Sequence, residues 1–146
     1  MREILIRAGL GAMAFSSAVV GAWALAAPRS FYDDFPGGGR HWVAVDGPYN
    51  EHLVRDVGSL NLALALVAVT AAVTLAPLLV RTAAAALLVN AVPHLAYHLA
   101  NLEPYGTGDK VGNAVSLSLA VAVPLAVLLA SVRARHSAST SSGMRR

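Results

Sequence analysis

Two short polar clusters beside long apolar segments contain residues suited to acid/base or metal chemistry. The first is PYNEHLVRDVGSL, at positions 48–60, where Glu51, His52, Arg55 and Asp56 supply two carboxylates, an imidazole and a guanidinium. At about 100° per residue these side chains share one arc of a helix, as two pairs spaced i,i+4. A carboxylate beside an imidazole can exchange protons near neutral pH, so the candidate catalytic acid/base residues are Asp56, His52 and Glu51.

The second cluster is LLVNAVPHLAYHLANLEPYG, at positions 87–106, which contains two histidines. The i,i+4 spacing of His94 and His98 puts both imidazoles on one face of a helix, where they could bind one metal ion. Two imidazoles and a carboxylate suit Zn or Fe, and haem b held by two histidines is a less favoured variant. The candidates for a further metal ligand are His52, Glu51 and Asp56.

Polar side chains near both clusters predict a shared pocket. Ionisable residues inside a membrane usually face the protein interior or a water-filled cavity. The helix that begins near position 48 and the helix that carries the histidines are joined by a very short loop, so they should be antiparallel neighbours. Both clusters should then lie at the same membrane level. The predicted pocket residues are Arg55, Asn90, Tyr97, Asn101 and Asn113.

Four long apolar segments must position these clusters. They lie at about 8–27, 57–80, 82–102 and 111–132. Each is close to the roughly 20 residues that a helix needs to cross a bilayer. Only 13% of the residues are charged, whereas soluble domains have about 25%. The sequence therefore predicts an all-α membrane protein with a single four-helix transmembrane bundle at 1–133 and a disordered basic tail at 134–146.

The basic residues predict the orientation of the bundle. With both termini in the cytoplasm, seven of the eleven Lys and Arg residues are inside, as the positive-inside rule requires. The connection between the first two spans is then one long extracytoplasmic loop, which carries five of the nine aromatic residues. These rings suit either an interfacial belt or a lid over the pocket, with Pro36-Gly37-Gly38-Gly39 as a flexible hinge.

Other features limit the class of protein. The first span also fits a signal peptide cleaved after Ala24-Leu25-Ala26, although its long apolar run favours a retained span. The absence of cysteine excludes disulfides and iron–sulfur clusters. The basic residues are not interleaved with aromatic ones, which argues against nucleic-acid binding. The abundance of Arg and Ala indicates a bacterial source, so we expect a multi-pass protein of the bacterial cytoplasmic membrane.

Three stretches carry a resemblance to known proteins. APRSFYDDFPGGGRHWV, PYNEHLVRDVG and AVPHLAYHL together resemble an uncharacterised family of small four-span bacterial membrane proteins, distantly similar to the DoxX-like group. The resemblance covers roughly residues 8–132. It implies a four-helix membrane fold, and it brings no established activity or site residue.

Three functions are compatible with these observations. The first is a small integral membrane protein with an outward-facing His/Asp/Glu pocket that binds a metal. The second is a membrane-embedded acid/base enzyme that acts on a lipid-soluble substrate. The third is a structural or interaction subunit whose polar residues only fix helix packing. The expected partners are the lipid bilayer and either a lipophilic small molecule or another membrane protein, while the oligomeric state is open.

Overall fold

The computed structural model describes the backbone of residues 1–143 and the side chains of residues 1–132. Its helices are α1 (Arg2–Ala26), α2 (Pro28–Asp34), α3 (Glu51–Thr74), α4 (Pro77–Ala100) and α5 (Thr107–Gly143), with one 3₁₀ turn at Ala44–Asp46. No strand occurs in this part of the chain. All helices except α2 are long and apolar enough to cross a membrane, α5 over Thr107–Val132. The predicted all-α fold with four helices that are long and apolar enough to span a membrane is confirmed.

The tail and the orientation of the bundle stay predictions. The expected disordered tail at 134–146 falls on residues of which only the backbone is described, up to Gly143, and its last three residues lie outside the described part. Nothing in the fold distinguishes the two sides of the membrane. We therefore name the two ends of the bundle by their contents. The connector end carries α2 and the segment that follows it, residues 35–50, which we call the connector. The turn end carries the α3–α4 turn at Leu75 and Ala76.

The start of α3 is set by a capping side chain. The Asn50 side chain accepts a hydrogen bond from the Leu53 amide at 3.1 Å, which satisfies one of the amides that the first helical turn leaves free. The helix therefore begins at Glu51, just after Pro48. The charged side chains of the first polar cluster, from Glu51 to Asp56, thus lie in the first two turns of α3.

Helices α1 and α3 are antiparallel and touch through their backbones. A Cβ atom on Gly21 would lie 2.8 Å from the carbonyl oxygen of Gly58, so only glycine permits this approach. At each end of this helix pair, an arginine of one helix donates hydrogen bonds to backbone carbonyls of the other. Arg7 of α1 donates to the Ala72 carbonyl at 2.7 Å, and Arg55 of α3 donates to the Leu25 carbonyl at 2.6 Å. Each arginine thereby caps the C-terminal end of the other helix, where the carbonyls lack helical partners.

The buried apolar residues form two clusters that differ in which helices they join. At the turn end, one cluster combines residues from all four long helices, with Leu10, Ala68, Leu87 and Val127 among them. At the connector end, the second cluster is centred on Phe31 and draws its members from α1, α2, the connector and α3. Within the described side chains, the four helices therefore share a buried core only at the turn end.

Candidate functional site

Helix α4 has a polar flank, formed by Asn90, His94, Tyr97 and Asn101 on the same side of the helix as Ala83. Other helices cover this side of α4 at the turn end and leave it exposed at the connector end. Ala83 is buried in the four-helix core. Asn90, His94, Tyr97 and Asn101 lie within an arc of about 60° that includes Ala83, at 100° per residue, and all four are exposed. The same flank of one helix thus changes from packed to open where the shared core ends. Four of the residues predicted from the sequence lie along this open flank.

His98 differs from these neighbours because it is buried, with only 9% of its surface exposed. Its Nε2 atom lies 3.9 Å from Oδ2 of Asp46, in the 3₁₀ turn of the connector. That separation exceeds hydrogen-bond range, so a small shift or one water would be needed to join the two groups. The Nδ1 atom is buried and has no hydrogen-bond partner among the described residues. The imidazole of His94 stands beside it, edge to face, with 4.6 Å between ring centroids.

Tyr105, in the turn between α4 and α5, holds the other side of the Asp46 carboxylate. Its hydroxyl lies 3.0 Å from Oδ1 of Asp46 and 2.9 Å from the carbonyl oxygen of Trp42, and it can donate to one of them at a time. Burial raises the pKa of Tyr105, the hydrogen bond with Asp46 raises it further, and the amide of Asn113 opposes the rise. Tyr105 is therefore a neutral donor to Asp46 at ordinary pH.

Trp42 attaches the connector to the start of α5. Its indole nitrogen donates to Oδ1 of Asp109 at 2.9 Å, and the guanidinium of Arg40 pairs with the same oxygen at 2.9 Å. The indole ring also lies on Gly112, where an added Cβ atom would come within 3.0 Å of the ring. These contacts hold the 3₁₀ turn, and with it Asp46, over the end of α4.

An open cleft of about 170 Å³ gives access to Asp46 from outside. Tyr97 and Asn101 of the open flank form one wall, and Glu103 and Pro104 of the following turn form another. The Asn101 side chain donates to the Tyr97 carbonyl at 2.8 Å, which fixes this end of α4. The cleft is large enough for a small polar group, and it joins the polar flank of α4 to the Asp46 carboxylate.

The first polar cluster makes its contacts elsewhere. Arg55 pairs with Glu51 at 2.9 Å and caps α1, as described above. His52 and Asp56 lie 3.4 Å apart, with 88% and 60% of their side chains exposed. An ion pair this exposed contributes little to stability. Among the described side chains, no hydrogen bond or ion pair joins this cluster to His94 or His98.

The expected metal site stays a prediction. Among residues 1–132 the structure contains no group of three or more His, Asp or Glu side chains placed to hold a metal ion. His94 and His98 are adjacent, but a tetrahedral Zn site needs at least one further protein ligand directed at the same point. The carboxylate nearest to His98 is Asp46, which is not one of the three ligand candidates drawn from α3.

Four residues of this site were missed from the sequence: Trp42, Asp46, Tyr105 and Asp109. All four lie in loops or at a helix start, where no periodic pattern marks the side of the chain that faces the protein. The available signals were weak. Asp46 precedes a Gly-Pro turn, and Tyr105 lies between Pro104 and Gly106. Their association depends on chain segments some sixty residues apart in the sequence.

The chain matches no protein-family model, no curated protein and no solved structure. The fold and the site define its class as a multi-pass α-helical membrane protein with a polar site at one end of the bundle.

Proposed function

We propose that this chain is a protein of the bacterial cytoplasmic membrane whose site around His98 and Asp46 exchanges a proton with a small lipid-soluble molecule. The observation that carries the proposal is the buried imidazole of His98, whose Nδ1 atom lacks a hydrogen-bond partner in the described part of the chain while a carboxylate lies beside Nε2. A group that served only to hold helices together would be expected to use its hydrogen-bonding atoms.

The energetic cost of burying this imidazole favours a functional role for His98. A buried polar atom without a partner costs about 1–3 kcal/mol. A leucine at this position would avoid that cost, so packing alone does not account for an imidazole. Active sites commonly retain such costs because the chemistry requires the group.

The roles of the three central residues follow from their positions. Asp46 lines the cleft and is the group that would touch the ligand. His98 lies behind Asp46 and can receive a proton from it or return one. Tyr105 donates to Oδ1 of Asp46 and positions the carboxylate. The proposed cycle moves one proton between the ligand, Asp46 and His98.

The open flank of α4 indicates the kind of ligand. Asn90 and His94 are exposed on a membrane-spanning helix, and polar groups at this depth need water or a polar partner. A molecule with an apolar body and a hydroxyl or amine group could move along this flank from the bilayer to the cleft. The positive-inside rule, applied to the sequence, predicts that both termini are cytoplasmic and so supports an extracytoplasmic position for the site.

Native mass spectrometry of protein extracted from membranes tests the proposal. We expect wild-type protein to retain a small lipid-soluble molecule, and Asp46→Asn to lose it because the neutral carboxamide cannot bind the ligand's polar group by accepting a proton or by its charge. Asp56→Asn is the matched control, since that carboxylate is exposed on α3 and away from the cleft. Equal retention by both variants would contradict the assignment to Asp46.

Metal analysis of the same preparations tests the second candidate function, which is metal binding, against proton exchange. Stoichiometric Zn or Fe that disappears in both His94→Leu and His98→Leu would replace the proton-exchange proposal with metal binding. The observation that favours this candidate is the adjacency of the His94 and His98 imidazoles, whose ring centroids are 4.6 Å apart.

A further inference from the structure

The two halves of the molecule are joined at the connector end by one group of polar contacts. The first half is α1, α2, the connector and α3, and the second half is α4 and α5. We call the contact group the clasp. Its members are Arg40, Trp42 and Asp46 from the first half, and Tyr105, Asp109 and Gly112 from the second.

Asp109 is the centre of the clasp. Its Oδ1 atom accepts from the indole nitrogen of Trp42 and pairs with the guanidinium of Arg40, both at 2.9 Å. The Asp109 side chain is 32% exposed, so water is partly excluded from these bonds. Hydrogen bonds to a charged group are stronger than neutral ones. Loss of this one carboxylate would therefore weaken two attachments at once.

The clasp residues of the connector are fixed to their own half. The backbone amide of Trp42 donates to the Phe35 carbonyl at 2.8 Å, and a ring nitrogen of His41 contacts the Asp33 carbonyl. Phe35 packs in turn on Phe31 of the connector-end cluster, with 4.8 Å between ring centroids. The connector is thus attached to α2 by a backbone hydrogen bond and aromatic packing, whereas its attachment to α5 depends on the side chains of Arg40, Trp42 and Asp109.

The turn end provides the opposite arrangement. There, residues of all four long helices form one buried core, and a Cβ atom on Gly9 of α1 would lie 2.8 Å from Val127 of α5. At the connector end, no buried apolar cluster of the described residues includes α4 or α5. Rupture of the clasp would leave the halves joined mainly at the turn end, which is the geometry of a hinge.

We propose that the clasp is a gate: its opening lets the two halves separate at the connector end, about the turn-end core, and lifts Asp46 and Trp42 away from His98. The inference that the gate regulates the proton-exchange site rests on the proposed function. The motion does not depend on that function, because it can be measured as a distance without any ligand or activity.

Spin-label distance measurements in nanodiscs test the gate, and the natural absence of cysteine makes the labelling direct. One label pair, at Pro48→Cys and Gly106→Cys, reports across the connector end. A second pair, at Glu3→Cys and Leu78→Cys, reports across the turn end. Asp109→Asn should increase the population with a longer connector-end distance roughly tenfold, since it removes the charge that holds Arg40 and Trp42.

A second variant opens the clasp without changing its charge. Gly112→Val places a side chain where the Trp42 ring lies, so it should also increase the longer connector-end distance. The matched controls are Gly108→Val, on the same helix with open space around it, and Asp33→Asn, which removes an exposed carboxylate of α2 outside the clasp. Both controls should keep the wild-type distances.

Two results would overturn the proposal. In the first, both clasp variants keep the wild-type connector-end distances. In the second, the turn-end pair broadens as much as the connector-end pair, because that shows general loss of structure in place of rotation about the core. A longer connector-end distance with an unchanged turn-end distance supports the gate, whether or not a ligand is ever found at His98.

Discussion

The α1–α3 pair and the region around α4 both place charged or polar side chains near the connector end, but they use them differently. In the α1–α3 pair, the guanidinium of Arg55 binds Glu51 and the Leu25 carbonyl, and the two backbones touch at Gly21 and Gly58. Around α4, the His98 imidazole is buried with one nitrogen free of partners in the described chain. In the α1–α3 pair the guanidinium of Arg55 is hydrogen-bonded to its neighbours. In the region around α4 the imidazole of His98 has a nitrogen that makes no hydrogen bond within the described chain.

This difference shows that residue type and membrane depth do not decide whether a polar group has a structural role. Arg55 and His98 are both polar residues of membrane-spanning helices at the same end of the bundle. The groups next to a polar side chain decide its role, and here these groups come from other segments of the chain. Arg55 reaches a helix end that needs a donor, while His98 faces a carboxylate at 3.9 Å, beyond hydrogen-bond range.

The largest expected effect concerns the contact between α1 and α3. Gly58→Ala adds a Cβ atom 2.8 Å from the Leu25 amide nitrogen, and backbone atoms on both sides prevent an easy shift. We expect the free energy of unfolding, measured by detergent titration, to fall by about 2 kcal/mol.

Gly11→Ala is the matched control for this change, because nothing lies within 4 Å of its added Cβ atom. It should leave the protein unchanged or stabilise it by up to about 1 kcal/mol through helix propensity. Equal effects of the two substitutions would show that the α1–α3 contact is looser than the structure indicates.

A smaller effect of opposite sign is expected at His98. His98→Leu removes the buried Nδ1 atom that lacks a partner in the described chain, so the free energy of unfolding should rise by about 1 kcal/mol. His94→Leu, at an exposed position one turn earlier, should change it less. A clear loss of stability in His98→Leu would instead make His98 a packing residue, and the contrast between the two regions would disappear.

The smallest effect is a pH dependence at Tyr105. Because the folded protein raises the pKa of Tyr105 above its ordinary value of about 10, the neutral phenol stabilises the folded state below that pH, and this contribution is lost as pH rises through the folded pKa. Wild type should therefore lose stability above about pH 10 more steeply than Tyr105→Phe. Tyr49, whose pKa desolvation also raises, is present in both proteins and cancels. Parallel pH profiles would contradict this role for the phenol.

The helices were predictable from the sequence to a large extent because each apolar segment is long enough to span a bilayer by itself. The site was less predictable. The spacing of His94 and His98 correctly places them side by side, since a helix repeats locally. Whether they lie near Glu51, His52 and Asp56 depends on how α3 and α4 pack. Helix α3 packs closely on α1 through glycines that no sequence pattern marks.

Hydrophobicity and helical periodicity act over neighbouring residues, so the residue pattern is sufficient to predict four apolar helices and the polar flank of α4. The folded chain was needed to show that the carboxylate beside His98 is Asp46, and that Trp42 and Asp109 hold it there. These residues lie in loops, whose direction is set by long-range hydrogen bonds and by the space above Gly112. Such contacts join distant segments, so no local pattern encodes them.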